Sequence, residues 1–162
     1  MKPKEFYALC EDRLGFLRDK YGFQTVSRKA DDSSYIILME SGTTGVEVSF
    51  EFENLYPRLY LYRIARPTQS KRECLDLKAI LERRGPGLIY PTQKTDDFLA
   101  RMVQNVIAGK KNEAQEYPED LDPDVVLTHY ATALQQTAED VLAGDHHVFT
   151  ELSTFTQQVP VA

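Results

Sequence analysis

The chain has no tryptophan, only two cysteines, and no apolar run near the roughly 20 residues that cross a bilayer. Cys10 and Cys74 are too few for a disulfide framework and form no CxxC knuckle. Each falls in an expected helix among apolar neighbours, so each reads as a small buried side chain. The stretch from Met1 to Glu11 carries charge and lacks the apolar block of a secretory signal. A cytoplasmic protein with no membrane partner is the resulting expectation.

Positive charge is also short. Lys and Arg total 19 against 25 Asp and Glu, a net charge of −6, which speaks against a main role in gripping nucleic acid. Lys71, Arg72, Lys78, Arg83 and Arg84 make one expected helix basic, and such runs are usually solvated faces. Motifs of catalysis are missing: there is no GxSxG and no GxGxxG, and Gly42-Thr43-Thr44-Gly45 lacks the lysine of a phosphate loop. His129, His146 and His147 do not stand at zinc-ligand spacing. His146 and His147 follow a helix end, where as cations they would favour its dipole. No catalytic residue, metal or cofactor is expected.

What is present is an alternating pattern. With 42% hydrophobic and 27% charged residues, the chain falls in the globular class, and 162 residues suit a single domain over 1–162. Val46, Val48, Phe50 and Phe52 alternate with Glu47, Ser49, Glu51 and Glu53, the signature of a strand with one apolar face. Strands are expected over Tyr35–Glu40, Val46–Glu53 and Leu59–Ile64, with a weaker one over Phe23–Arg28. One helix is expected to precede them, from Lys4 to Lys20, with Pro3 in its first turn and Gly22 after its end.

Three helices are expected to follow. Ser70 and Glu73 match a capping box ahead of Leu75, Leu77, Ile80 and Leu81. Thr95 caps a second helix carrying Phe98, Met102, Val106 and Ile107. Asp122 and Pro123 open a third that runs to Gly144, and the tail with Val148, Phe149, Leu152 and Phe155 docks as a short helix. Lys110 to Leu121 reads as a polar loop. The fold class is α+β: a three- or four-stranded antiparallel meander preceded by one helix and followed by three.

Loop symmetry gives a register. A hairpin centred on Thr43 and Thr44 sets Glu40 against Glu47 and Ile37 against Phe50. A five-residue loop over Asn54–Arg58 sets Phe50 against Tyr62. One face then holds Tyr35, Ile37, Met39, Val48, Phe50, Phe52, Tyr60, Tyr62 and Ile64, and helices should cover it. The opposite face holds Glu40, Glu47, Glu51, Glu53 and Arg63 with Ile36, Leu38, Leu59 and Leu61. An aliphatic centre with an acidic margin suits a protein interface. The same face can also be a covered layer with glutamates at its rim, or, less in keeping with its spacing, a metal or acid–base site.

Tyr21-Gly22-Phe23, Gly45-Val46-Glu47-Val48 and Val141-Leu142-Ala143-Gly144-Asp145 give the chain a layout that resembles small bacterial α+β proteins of the toxin-immunity type. The resemblance carries over no catalytic residue and implies a binding function. The leading expectation is an immunity protein that occludes a toxin, with glutamates meeting basic residues of the toxin domain. One alternative is a small-ligand binder or enzyme with a cleft between the sheet and the 110–121 loop, where Glu51, Arg63 and a histidine converge. Another is a structural or chaperone-like module that pairs with a second copy through its aliphatic face.

Overall fold

Pro3 opens α1 (Pro3–Arg13), where its missing N–H is no loss, and the Glu5 carboxylate accepts from the Lys2 N–H at 2.7 Å. The expected single helix breaks at Leu14 (φ −101°, ψ 17°), and α2 (Gly15–Tyr21) restarts beyond it. The break falls beside Gly15, a residue that weakens a helix interior by about 1 kcal/mol relative to alanine. Leu14 and Leu17 are buried on either side of it, so the apolar stripe survives the kink. Gly22 (φ 71°) ends α2 in the left-handed region, as the sequence indicates.

The computed structural model describes residues 1–52, 54, 56–64, 71–89, 93–110, 121–152 and 157–160, with backbone alone at 71–72, 93–96 and 157–160. Glu53, Ser70, Phe155 and the loop over 111–120 lie outside the described residues, as does the side chain of the expected cap Thr95.

The strands are β1 (Gln24–Ala30), β2 (Ser34–Glu40), β3 (Thr44–Glu51), β4 (Arg58–Arg63), β5 (Lys71–Asp76) and β6 (Gln157–Pro160). They form one sheet in chain order, every neighbouring pair antiparallel. The α+β class holds, but the meander is longer than expected. β5 replaces the start of the helix read from Ser70 and Glu73, because Cys74 and Leu75 pair with Tyr62 and Leu61 of β4. The helix α3 (Leu77–Arg84) begins later, with the Asp76 carboxylate accepting from the Lys78 N–H at 2.8 Å. β6 is contributed by the tail, whose alternation is too short to read in sequence.

Among the described residues a 3-10 turn at Pro86–Leu88 and four α-helices follow: α4 (Gln93–Ile107), α5 (Pro123–Thr137), α6 (Glu139–Leu142) and α7 (His147–Glu151). Asp122 caps α5, accepting from the Asp124 N–H at 2.8 Å, and Pro123 takes the first helical position. The long helix expected to Gly144 is interrupted at Ala138 (φ −129°), and Val148, Phe149 and Leu152 dock the short α7. None of the described helices is long and apolar enough to cross a membrane.

One face of the sheet carries Ile37, Met39, Val46, Val48, Leu59, Leu61 and Leu75, all buried. Against it pack Phe6, Cys10, Leu14 and Leu17 from α1 and α2, Ile80 and Leu81 from α3, and Val126, Leu127, Tyr130 and Leu134 from α5. Burial of this aliphatic layer, at roughly 25 cal/mol per Å² of apolar surface, is the main source of stability. Arg13 ties α1 to α5 through Asp124 (3.0 Å), and that bond holds the Asp124 carboxyl below its ordinary range.

The register corrects the sequence expectation in two different ways. In the first hairpin Glu40 pairs with Gly45 and Ile37 with Val48, a slip of two residues that leaves every side chain on its expected face. In the second, Val48 pairs with Leu59 and Gly45 with Tyr62, a slip of five. An odd slip exchanges the faces. Leu59, Leu61 and Arg63 therefore point to the helix-covered side, and Tyr60 and Tyr62 to the other. Glu40 does not face Glu47, so the like-charge pair expected there does not form.

Candidate functional site

The second sheet face is built in cross-strand rows. The first runs Glu40, Gly45, Tyr62, Cys74 and the second Leu38, Glu47, Tyr60, Asp76. The third runs Ile36, Ser49, Arg58, and Glu51 faces Ser34 beyond it.

Gly45 has a structural task in the first row. A Cβ there would sit 2.0 Å from Cζ of Tyr62, so the ring lies directly over the glycine. The Tyr62 hydroxyl reaches past Gly45 and donates to the Glu40 carboxylate at 2.8 Å. Ser49, Tyr62 and Cys74 are all buried, so the part of this face nearest β4 and β5 is covered. Burial also lifts the Tyr60 hydroxyl and the Asp76 carboxyl above their ordinary values, with Arg58 opposing both.

The outer part of the face is different. Ile36, Leu38, Glu40 and Glu47 are half-buried and Glu51 is exposed, where it accepts from the Asn54 side chain at 2.7 Å. This patch gathers five of the residues singled out in sequence: Ile36, Leu38, Glu40, Glu47 and Glu51. Leu59 and Leu61 do not belong to it, being 1% and 0% exposed in the core, and Arg63 leaves it for the opposite face. Phe52 and Val26, at neighbouring sheet margins, are large apolar side chains about half exposed.

Arg63 has its own surroundings, which sequence reasoning did not find. It shares a row with Thr44 and Glu73 at the end of the helix-covered face, and the α6–α7 turn brings His146 to the same place. The Thr44 hydroxyl is fully buried. It donates to the Val141 carbonyl (2.9 Å) and, having one proton, accepts from Nε2–H of His146 (2.8 Å). Burial, and then Arg63, push His146 below the ordinary imidazole value, so it is neutral here rather than the dipole-favouring cation expected from its position.

Beside these residues opens a cleft of about 750 Å³, lined by Gly42, Thr43, Arg63, Asp145, His146 and Thr150 among others. The cleft expected against the 110–121 loop involves residues outside those described, and Arg63 instead meets a histidine, His146, at the α6–α7 turn. Glu51 takes no part in it: seven residues along β3 from Thr44, it lies roughly 24 Å away and on the other face. The signal available in sequence was Gly144-Asp145-His146-His147, whose partner across the turn, Thr44, is about a hundred residues distant. Among the described residues no group of three or more His, Cys, Asp or Glu is placed to hold a metal ion.

The fold and these two surfaces define a class: an α+β protein with an antiparallel meander, α1, α2, α3 and α5 packed on one face and a partly open, acidic second face. Comparison with protein-family models, curated proteins and solved structures finds no match for this chain.

Proposed function

We propose that the protein is a non-catalytic binding protein that holds a basic polypeptide partner against the outer half of its second sheet face. One observation carries this reading. Ile36 and Leu38 stand half-buried beside Glu40, Glu47 and Glu51, on the side of the sheet away from the α1–α2–α5 layer. An apolar centre with a charged margin is the anatomy of a protein interface. The particular reading is an immunity protein that occludes a toxin, its carboxylates meeting cationic residues of the toxin. The net charge of −6 supports it, since electrostatic complementarity accelerates encounter. Inhibition of this kind is steric and asks no bond-making chemistry of the glutamates.

The test is co-expression with the product of the adjacent gene, followed by size exclusion. A single co-eluting species is expected. Leu38→Arg should weaken the complex by at least about tenfold, the cost of setting a charge at the apolar centre. Elution as two separate species counts against the reading. A dimer of the protein alone that Leu38→Arg dissociates would assign the patch to a second copy instead.

A further inference from the structure

We propose that the cleft between the β2–β3 turn and the α6–α7 turn binds a small zwitterion of amino-acid type, its carboxylate on Arg63 and its ammonium on Asp145. This site is separate from the sheet patch and does not depend on it.

The Arg63 guanidinium lies over the Phe149 ring, 5.6 Å from the centroid. Among the described residues its polar contacts are both long: 3.5 Å from Nε to Glu73 and 3.4 Å from Nη2 to the His146 carbonyl. Nε of Arg63 and Oε2 of Glu73, the two ends of that 3.5 Å ion pair, are buried against each other without a hydrogen bond to any described residue. The Arg63 side chain is nonetheless 34% exposed, so its terminal Nη groups are the donors left to the cleft. An oriented, under-used guanidinium at the wall of a cleft is suited to a planar carboxylate, which it can grip through paired N–H donors.

Charge then narrows the ligand. Arg63 is accompanied by two carboxylates, Glu73 and Asp145, while His146 is held neutral by its burial and by Arg63. A lone multiply charged anion such as phosphate would meet a site whose fixed charge is not positive. A ligand that brings its own cation is favoured. Asp145 lines the cleft, its side chain is half exposed, and it accepts from the His147 N–H at 3.0 Å, leaving its second oxygen for an ammonium.

The walls are set by backbone. Gly144 adopts φ 100°, and a Cβ there would fall 2.8 Å from the Thr43 hydroxyl, so the two turns touch and shape the mouth. The volume, about 750 Å³, is within the range of small-molecule sites.

The experiment is a thermal melt of the full chain, with calorimetric titration, against glycine, β-alanine, γ-aminobutyrate and the common α-amino acids. Acetate, methylamine and inorganic phosphate serve as single-charge and polyanion probes. At least one zwitterion is expected to raise the midpoint and bind saturably, and none of the three probes should match it. Asp145→Asn, at an exposed position that leaves the fold intact, should weaken that zwitterion by about tenfold, and so should Arg63→Lys, which keeps the charge but not the paired donors. Leu38→Arg on the sheet face should leave it unchanged. Overturning results are phosphate outperforming every zwitterion, no zwitterion binding at all, or unaltered affinity in both cleft variants.

Discussion

The two faces of one sheet differ in what their side chains touch. On the helix-covered face Ile37, Val46, Val48 and Leu61 are each 0% exposed within the apolar core, and polar side chains such as Arg28 and Thr44 enter only at its margins. On the other, alternate positions of the same strands hold Ile36, Leu38, Glu47 and Glu51, which keep contact with water. The first face has one solution, because each methylene there is enclosed. The second is closed at Tyr62 and Cys74 and at the small residues Ser34 and Ser49, while Ile36, Leu38, Glu40, Glu47 and Glu51 stay at least partly open to water. A surface that can be left half-open at little cost can also be tuned to a partner.

The sharpest way to break this contrast is truncation. Leu61→Ala should lose about 2–5 kcal/mol in urea unfolding, as buried leucines do, while Leu38→Ala should lose about 1 kcal/mol or less. Equal losses would mean the second face is as enclosed as the first.

Gly45→Ala probes the closed part of the second face. The new methyl meets the Tyr62 ring, so a loss of about 1–3 kcal/mol is expected from overpacking. In a Tyr62→Ala background the same change should be close to neutral, and the difference between the two backgrounds, read by chemical denaturation, measures the contact. Asp122→Ala, which removes the cap of α5 from the helical layer, should cost about 1 kcal/mol on the same scale.

The smallest effect is one of pH. The His146 ring faces Thr44, Arg63 and Phe149, with Glu73 and Asp145 the nearby carboxylates, and its folded value lies below that of the unfolded chain. The neutral form is the one the fold favours. Its contribution is therefore complete above about pH 6.5 and declines as pH falls through the window between that and the lower folded value. Wild type should lose more thermal midpoint than His146→Gln across that window, before Asp124, Glu139 and Asp140, whose folded values are lowered, begin to protonate in stronger acid.

Much of the architecture was legible from local chemistry. Pro3, Gly22, Asp122 with Pro123, and the alternation through Val46–Phe50 each mark their elements because the cause lies within a few residues. β5 was hidden because Lys71–Asp76 becomes a strand only by pairing with β4, and its residues also fit a helix start. The register of the second hairpin was misread because the contact that fixes it, Tyr62 over Gly45, joins residues 17 apart and needs a glycine rather than a long side chain opposite the ring. Of the candidate surface, Ile36, Leu38, Glu40, Glu47 and Glu51 were readable, since an even slip preserves faces. Leu59, Leu61 and Arg63 were not, since an odd one exchanges them. The cleft at Arg63 escaped for the same reason, together with the sequence distance from Thr44 to His146.

Whether a partner sits on the outer half of the second sheet face is tested most directly by amide hydrogen exchange of the protein with and without the co-expressed product of the adjacent gene. Slowed exchange over residues 34–40 and 47–51 is expected, with the turn at 144–147 unchanged. Slowed exchange confined to that turn, with β2 and β3 unaffected, would contradict it.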